Sequence, residues 1–368
     1  MTLRVGMLGY TFMGTAHSNA LDRLPMFFPE LPETERYVLV GRREEPLAEA
    51  ADRFDFETTT TDWEDAVDDV DVFCNLGPNY MHVEPSIAAL ENGVHVLSEK
   101  PLAASVEGAE RMAEAARQSD AVAATGFNYR FVPAIQYAKD LIDAGELGDI
   151  RHFTGRYMQG HLARNPDAGW SWRVSKEKAG AGALGDIGSH TIDLARFLVG
   201  DFERVSGNCR TFVEERPVPW KDDEMREIEV DDAYSAQVDF ENGAMGVLEA
   251  TRAAFGERNN NYVEIHGTKG SLKFELERLN EIKVSLEDDR GYRRVLMNEH
   301  DDPYGDRWWP PGHNIGWEHT FVHEYASFLS AIEEGGEHRP DFEDGLAVQR
   351  VIDAIQRSDE DDGRRIEL

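Results

Sequence analysis

Cysteine is almost absent from this chain. Only Cys74 and Cys209 occur in 368 residues. They lie far apart and outside any metal-ligand spacing, which fits reduced thiols in a cytosol with no disulfide framework and no bound metal. Long apolar runs are missing too: nothing reaches the roughly 20 residues of a membrane-crossing helix. The N-terminus enters a strand directly, without a basic and apolar leader, which points to a cytoplasmic protein. Positive charge is scarce. Against 71 acidic residues stand 38 basic ones, a net charge of −33, and lysine is rarer than arginine. This balance argues against nucleic acid or an anionic membrane as partner. The acids are spread along the chain instead of forming a tail, and such self-repulsion is relieved by salt, as in a halophilic cytoplasm.

What is present is globular. A hydrophobic fraction of 41% with 10% aromatics suits a packed core, and the length suits two domains. The first strand, Leu3-Arg4-Val5-Gly6-Met7-Leu8, runs into Gly9-Tyr10-Thr11-Phe12-Met13-Gly14. That is the dinucleotide turn G-x-G-x-x-G with Thr11 in the second glycine position. Gly9 permits the tight turn, Gly14 lets helix and strand pack closely, and the helix start offers N–H groups to a pyrophosphate. The Thr11 hydroxyl can add a phosphate contact. A second strand, Tyr37-Val38-Leu39-Val40, ends at Gly41-Arg42-Arg43. An acid there would hold the ribose 2′-hydroxyl of NAD; two arginines instead suit a 2′-phosphate, favouring NADP over NAD.

Further strands at 71–76, 94–97 and 121–126 alternate with helices at 45–54, 85–91 and 106–118, the pattern of a parallel, doubly wound α/β sheet. From about residue 148 the pattern changes. Strand-like runs at 150–159, 205–213, 233–240, 243–254, 262–266 and 271–274, with hairpin signals at Glu241-Asn242-Gly243 and Gly267-Thr268-Lys269-Gly270, give a mainly antiparallel sheet with helices on one face. The expected division is a Rossmann-type dinucleotide-binding domain, 1–126, and an α+β substrate and oligomerisation domain, 127–368. Helices at 318–333 and 342–357 are expected to cover one of the two sheets, and can pack back on the first domain.

Two stretches carry chemistry. Lys100, in Ser98-Glu99-Lys100-Pro101, stands at the mouth of a buried strand, where open α/β sheets bind ligands. A partly desolvated lysine there can donate to a substrate hydroxyl. The glycine-rich run Ala179-Gly180-Ala181-Gly182-Ala183-Leu184-Gly185 lets another backbone or a ligand approach the start of a helix from Asp186 to about residue 198. On that helix Asp186, His190 and Asp193 share one face. Asp186 can orient His190, which can take a proton from a hydroxyl.

Taken together, these motifs resemble the glucose–fructose oxidoreductase/inositol dehydrogenase (Gfo/Idh/MocA) family over nearly the whole length. The resemblance rests on Gly9–Gly14, Gly77-Pro78-Asn79-Tyr80-Met81-His82, Glu99-Lys100-Pro101 and Gly182-Ala183-Leu184-Gly185-Asp186-Ile187-Gly188-Ser189-His190. Phe127-Asn128-Tyr129-Arg130, Trp172-Arg173, Glu249-Ala250-Thr251-Arg252 and Glu264-Ile265-His266-Gly267-Thr268 look like its levoglucosan and inositol dehydrogenase-like branch. It implies a catalytic set of Lys100, Asp186 and His190, and a cis bond between Lys100 and Pro101. It also implies cofactor contacts from Phe12, Met13, Pro78, Asn79, His82, Glu99 and Asn128. Tyr157, Trp172, Arg173, Asp193, His313 and Asn314 are the sugar-pocket candidates: Trp172 would stack on a ring face, while Arg173 and Asn314 would bind hydroxyls. The departures are Thr11 for glycine and Gly77 where a polar residue is frequent. The implied activity is NAD(P)-dependent oxidation of a secondary alcohol on a sugar, anhydrosugar or cyclitol, by a homodimer or homotetramer. A glycosidase using transient oxidation, and a non-catalytic dinucleotide sensor, remain as alternatives.

Overall fold

Leu3, Val5 and Met7 of the first strand are almost wholly shielded from solvent, as befits a strand covered on both faces. The structure, a computed structural model, describes residues 2–165 and 168–368. It forms two compact units, residues 1–131 with 316–347 and residues 132–315 with 348–368.

The first unit is built on six parallel strands, Thr2–Leu8 (β1), Glu33–Val40 (β2), Thr58–Thr60 (β3), Val72–Asn75 (β4), His95–Glu99 (β5) and Ala123–Gly126 (β6). Their order is β3-β2-β1-β4-β5-β6. The chain reverses direction across the sheet between β1 and β4, the switch point at which such sheets open a ligand crevice. The helix Val106–Gln118 shows how local sequence and packing agree. Ser105 caps it by accepting from Gly108 N–H (3.2 Å), and Ala109, Met112 and Ala113 lie buried on one face. These side chains join Leu90, Val96, Leu102 and Leu346 in a shared core. Truncating Met112 there would cost about 2–5 kcal/mol. The helix Glu318–Glu334 also belongs to this unit and buries Phe321, Val322, Tyr325, Phe328 and Leu329.

The second unit holds a nine-stranded sheet. Its strands are Ile150–Met158 (β7), Phe202–Arg210 (β8), Ala233–Phe240 (β11), Met245–Thr251 (β12), Asn260–Gly267 (β13), Ser271–Glu275 (β14), Glu281–Ser285 (β15), Arg293–Leu296 (β16) and Ile366–Glu367 (β17). A small hairpin, Glu215–Pro217 (β9) with Met225–Glu227 (β10), stands apart. The large sheet runs β16-β15-β14-β13-β7-β12-β11-β8-β17, antiparallel except where β7 meets β12. Strict alternation of buried and exposed residues in β11 and β12 marks a sheet with one covered face. The helix Ser189–Leu198 lies on that face so closely that a Cβ at Gly155 would come 2.4 Å from the Thr191 methyl. One difference from expectation matters for chemistry. The stretch Leu184–Gly188 is a wide π-type turn, and regular α-helix begins only at Ser189. A π turn holds more residues than an α turn, so Asp186 does not share the regular face of His190 and Asp193. Consistent with this, it is half-exposed while both of them are buried.

Candidate active site

In the first unit the turn after β1 has the features of a phosphate cradle. Gly9 adopts φ +112°, and a Cβ on it would stand 2.8 Å from the Leu76 carbonyl oxygen; one on Gly14 would stand 2.5 Å from the Gly9 carbonyl oxygen. The helix Phe12–Phe27 that follows has no side-chain cap and no acid in its first turn. Its leading N–H groups and positive dipole end are therefore available to an anion. Thr11 is exposed, Met13 half-buried, and Phe12, 68% exposed, stacks on Trp317 with ring centroids 5.5 Å apart. These residues fit a dinucleotide pyrophosphate. Arg42 and Arg43 are exposed past the end of β2. The adjacent Gly41 lies so close to the Tyr10 ring that any side chain would collide with it.

The loop after β4 is fixed by Asn75. Its amide donates to the carbonyls of Met81 (3.0 Å) and His82 (3.1 Å) and to the Ser86 hydroxyl (3.1 Å). Pro78 is half-buried there and Asn79 is buried. The ring nitrogens of the buried His82 lie 3.0 Å from the Pro101 carbonyl and 2.9 Å from the Gly77 carbonyl, tying this loop to the one after β5. Burial pushes the pKa of this imidazole down, and a neutral ring can donate to only one of the two carbonyls. Lys100 is half-buried at the end of β5, and its bond to Pro101 is cis.

Glu99, beside it, is buried. Its Oε1 pairs with His17 Nε2 (3.0 Å) and its Oε2 accepts from Lys100 N–H (3.1 Å). Burial pushes the Glu99 carboxyl up, but His17 and the Lys100 charge together hold it below the ordinary range. His17 Nδ1 continues to the Tyr325 hydroxyl (3.0 Å), which meets Cys74 Sγ at 3.1 Å. Asn128 is buried and donates to the Thr320 hydroxyl (2.8 Å). His17, Asn75 and Tyr325 escaped the sequence reading. His17 carries no signal beyond a polar residue on an otherwise buried helix face, and Tyr325 lies more than 200 residues from the groups it meets.

The second unit positions the other candidates. Asp186 stands in the π turn with Arg252 Nη1 3.8 Å from its Oδ2, and Arg252 is only 4% exposed. Asp193 is fully buried. Tyr157, in β7, sets its ring 6.0 Å from that of His190 and donates to Asn259 Oδ1 (2.7 Å). Trp172 is half-buried, with the exposed Arg173 guanidinium 4.5 Å over its ring. His313 and Asn314 are exposed, and His313 Nδ1 meets the Pro310 carbonyl at 2.7 Å. The unit thus brings Tyr157 together with His190, and Trp172 together with Arg173. Asn261, opposite Tyr157 across the β13–β7 ladder, was not foreseen; its amide is buried with no hydrogen-bond partner among the described residues. Those residues contain no cluster of side chains suited to a metal ion, and no helix long and apolar enough to cross a membrane.

Comparison with known proteins covers both units. Residues 3–127 match the oxidoreductase family's NAD-binding Rossmann fold, and residues 139–368 its C-terminal alpha/beta domain. The levoglucosan dehydrogenase of Pseudarthrobacter phenanthrenivorans is 41% identical over 97% of this chain and 96% of its own. A solved levoglucosan dehydrogenase in complex with NADH and levoglucosan superimposes with a TM-score of 0.96 at 40% identity, covering 100% of this chain and 99% of the other. The inositol 2-dehydrogenase of Rhizobium meliloti is 27% identical over 97% of each chain. With both halves of the sequence matched and the strand-end motifs in place, the chain belongs to the Gfo/Idh/MocA oxidoreductase family.

Proposed function

We propose that this chain is an NAD(P)-dependent dehydrogenase that moves a hydride between nicotinamide and a secondary hydroxyl of a sugar, anhydrosugar or cyclitol. The observation that carries this reading is the likeness over both units to levoglucosan dehydrogenase. The turn Gly9–Gly14 and the loop with Pro78, Asn79 and His82 would hold the dinucleotide, with Glu99 and Asn128 behind them. When bound, the nicotinamide ring supplies the hydride acceptor. His190 takes the hydroxyl proton, and Asp186 orients the imidazole and stabilises it once protonated. Lys100 donates to the substrate oxygen as negative charge builds on it. Tyr157 and Trp172 present ring faces to the sugar, and Arg173, Asp193, His313 and Asn314 are its polar candidates. Arg42 and Arg43, without an acid between Gly41 and the helix, favour NADP over NAD.

The same reading extends to assembly and place. Met245 and Val247, 55% and 39% exposed on β12, support a homodimer or homotetramer built on that sheet face. Light scattering that finds only a monomer would remove this part. Reduced thiols and an acidic surface suit a salt-rich cytoplasm.

The test is a panel of sugars, anhydrosugars and cyclitols, followed by NAD(P)H absorbance in molar KCl, with wild type beside Lys100→Met and His190→Ala. Wild type is expected to reduce cofactor on at least one compound, and Lys100→Met to lose about 10²–10³ in rate while still binding the dinucleotide. His190→Ala is expected to abolish the pH limb on which kcat/KM rises. Glycoside cleavage without net cofactor reduction, or tight dinucleotide binding with no turnover on any compound, would replace this reading by a glycosidase or a sensor respectively.

A further inference from the structure

Three consecutive backbone N–H groups lead into the turn that carries Asp186, and a single residue accepts all three. Gly182 donates to Asp231 Oδ1 (2.7 Å), Ala183 to the Asp231 carbonyl (3.0 Å) and Leu184 to Asp231 Oδ2 (2.8 Å). The leading N–H groups of a helix have no partner within it, and a side chain just upstream usually caps them. Here the cap comes from a distant segment, and the fit leaves no room for a side chain at 182. A Cβ there would lie 1.8 Å from the Asp231 carbonyl oxygen. The glycine-rich lead-in therefore admits another backbone, and that backbone is Asp231. The same carbonyl accepts a second bond, from Arg252 Nη2 (3.1 Å), while Arg252 Nη1 faces the Asp186 carboxylate at 3.8 Å. Asp231 and Arg252 are both buried. One buried cation thus touches both the clamp and the carboxylate that the clamped turn presents.

We propose that Asp231 and Arg252 are positioning residues for Asp186: Asp231 fixes the turn from which that carboxylate projects, and Arg252 sets its orientation and its electrostatic surroundings. The proposal rests on the reading of Asp186 and His190 as catalytic. Both act through Asp186. Other charges share this neighbourhood. Arg252, Asp186, Arg216 and Asp232 all act on the His161 ring, and Tyr157 faces His190 from the sheet. Burial pushes the Asp231 carboxyl up while its two N–H donors oppose the shift, so the clamp is tied to the turn it holds. Removing the Arg252 charge from beside the Asp186 carboxylate would favour the protonated imidazole at His190, because Asp186 would then act on it without an opposing cation.

The experiment compares wild type, Arg252→Gln, Arg252→Lys, Asp231→Asn and Asp186→Asn on one active sugar across pH, with thermal midpoints measured alongside. Glutamine keeps a donor for the Asp231 carbonyl but not the charge. Arg252→Gln is expected to lower kcat by about tenfold to a hundredfold with little change in KM, the scale of a small misplacement of a reacting group. Its pH limb should move up by about one unit. Arg252→Lys should leave the limb in place and recover part of the rate. Asp231→Asn should lower kcat without moving the limb, since the charge beside Asp186 survives. A purely structural role would lower the thermal midpoint and leave the limb and the kcat-to-KM split of the folded fraction unchanged, and that result overturns the inference. Asp186→Asn with wild-type kcat would instead overturn the catalytic reading beneath it. Asp186→Asn impaired, with folded Arg252→Gln and Asp231→Asn at wild-type rates, would sink the positioning role alone.

Discussion

Burial is the leading influence on the acid behaviour of two histidines in the first unit. His323 is fully buried with Nδ1 3.0 Å from the Phe131 carbonyl, and burial pushes its pKa down to about 3. His338 is pushed down to about 4 for the same leading reason. An unfolded histidine titrates near ~6.5, so below that pH the unfolded chain takes up protons that the folded chain refuses. Their contribution to stability is therefore complete above about pH 6.5 and is lost as the pH falls toward 4 and then 3, each adding a slope of about 1.4 kcal/mol per pH unit. Urea unfolding at pH 7, 5.5 and 4.5 should show the decline, and His323→Phe should flatten it by one proton's worth. A variant that keeps the wild-type slope would show that His323 carries a proton in the folded chain. Residues of this kind are nearly invisible in sequence. Lys100, Asp186 and His190 could be picked out because short motifs surround them. Asp231, His17 and Tyr325 could not, because each meets partners brought in from tens or hundreds of residues away; Arg252 stood in a motif of the family resemblance, but nothing local tied it to Asp186 or Asp231.

At the level of elements, the proposed choice of dinucleotide rests on the turn at the end of β2. Gly41 stays bare because Tyr10 lies on it, and the next two side chains, Arg42 and Arg43, are exposed. If they clamp a 2′-phosphate, alanine at both positions should raise the KM for NADP by one to two decades, about 1.4 kcal/mol each, and leave NAD nearly unchanged. Wild type with the better kcat/KM on NAD would mean that another group holds the ribose. Most elements were legible in the sequence because period and punctuation agreed. The helix Val106–Gln118 and the strand Ala233–Phe240 stand where the pattern put them. Others were missed for physical reasons. The helix Pro133–Asp143 opens on a proline and follows a buried 3₁₀ turn, so no polar cap announces it. The strands β15 and β16 lie at a sheet edge, and the exposed, charged β16 carries little apolar signal. The π turn at Leu184–Gly188 is set by Asp231, which local periodicity cannot reveal.

At the scale of the molecule, charge is the dominant fact. Even if every base paired with one acid, 33 acids would remain. The structure shows bases shared: Arg36 spans Asp22 and Asp55 at 3.2 Å each, and Arg339 spans Asp341 and Asp344 at 3.2 Å each. Surface pairs that leave one partner in water contribute about 0–1 kcal/mol each, too little to offset repulsion summed over the surface. Salt shortens the reach of that repulsion from about 30 Å at 0.01 M to about 3 Å at 1 M. The thermal midpoint should therefore climb between dilute buffer and molar KCl, and activity with it. A flat or falling midpoint would mean that the acids are solvated well enough to ignore one another.

The two thiols offer a way to watch each half of the molecule separately. Cys74 lies in the core of the first unit, its thiol raised to about 12 by burial. Cys209 lies in the second, raised by burial and by the carboxylates of Asp231 and Asp359. Alkylating reagents attack the thiolate, so near neutral pH both sulfurs react slowly, the buried Cys74 only when its surroundings open and the half-buried Cys209 faster as the second unit loosens. Pulsed alkylation read by peptide mass would then time the opening of the two units independently. If they open as one, adding dinucleotide will slow labelling of both sulfurs; if dinucleotide steadies only the first, its addition will slow labelling of Cys74 and leave Cys209 at its former pace.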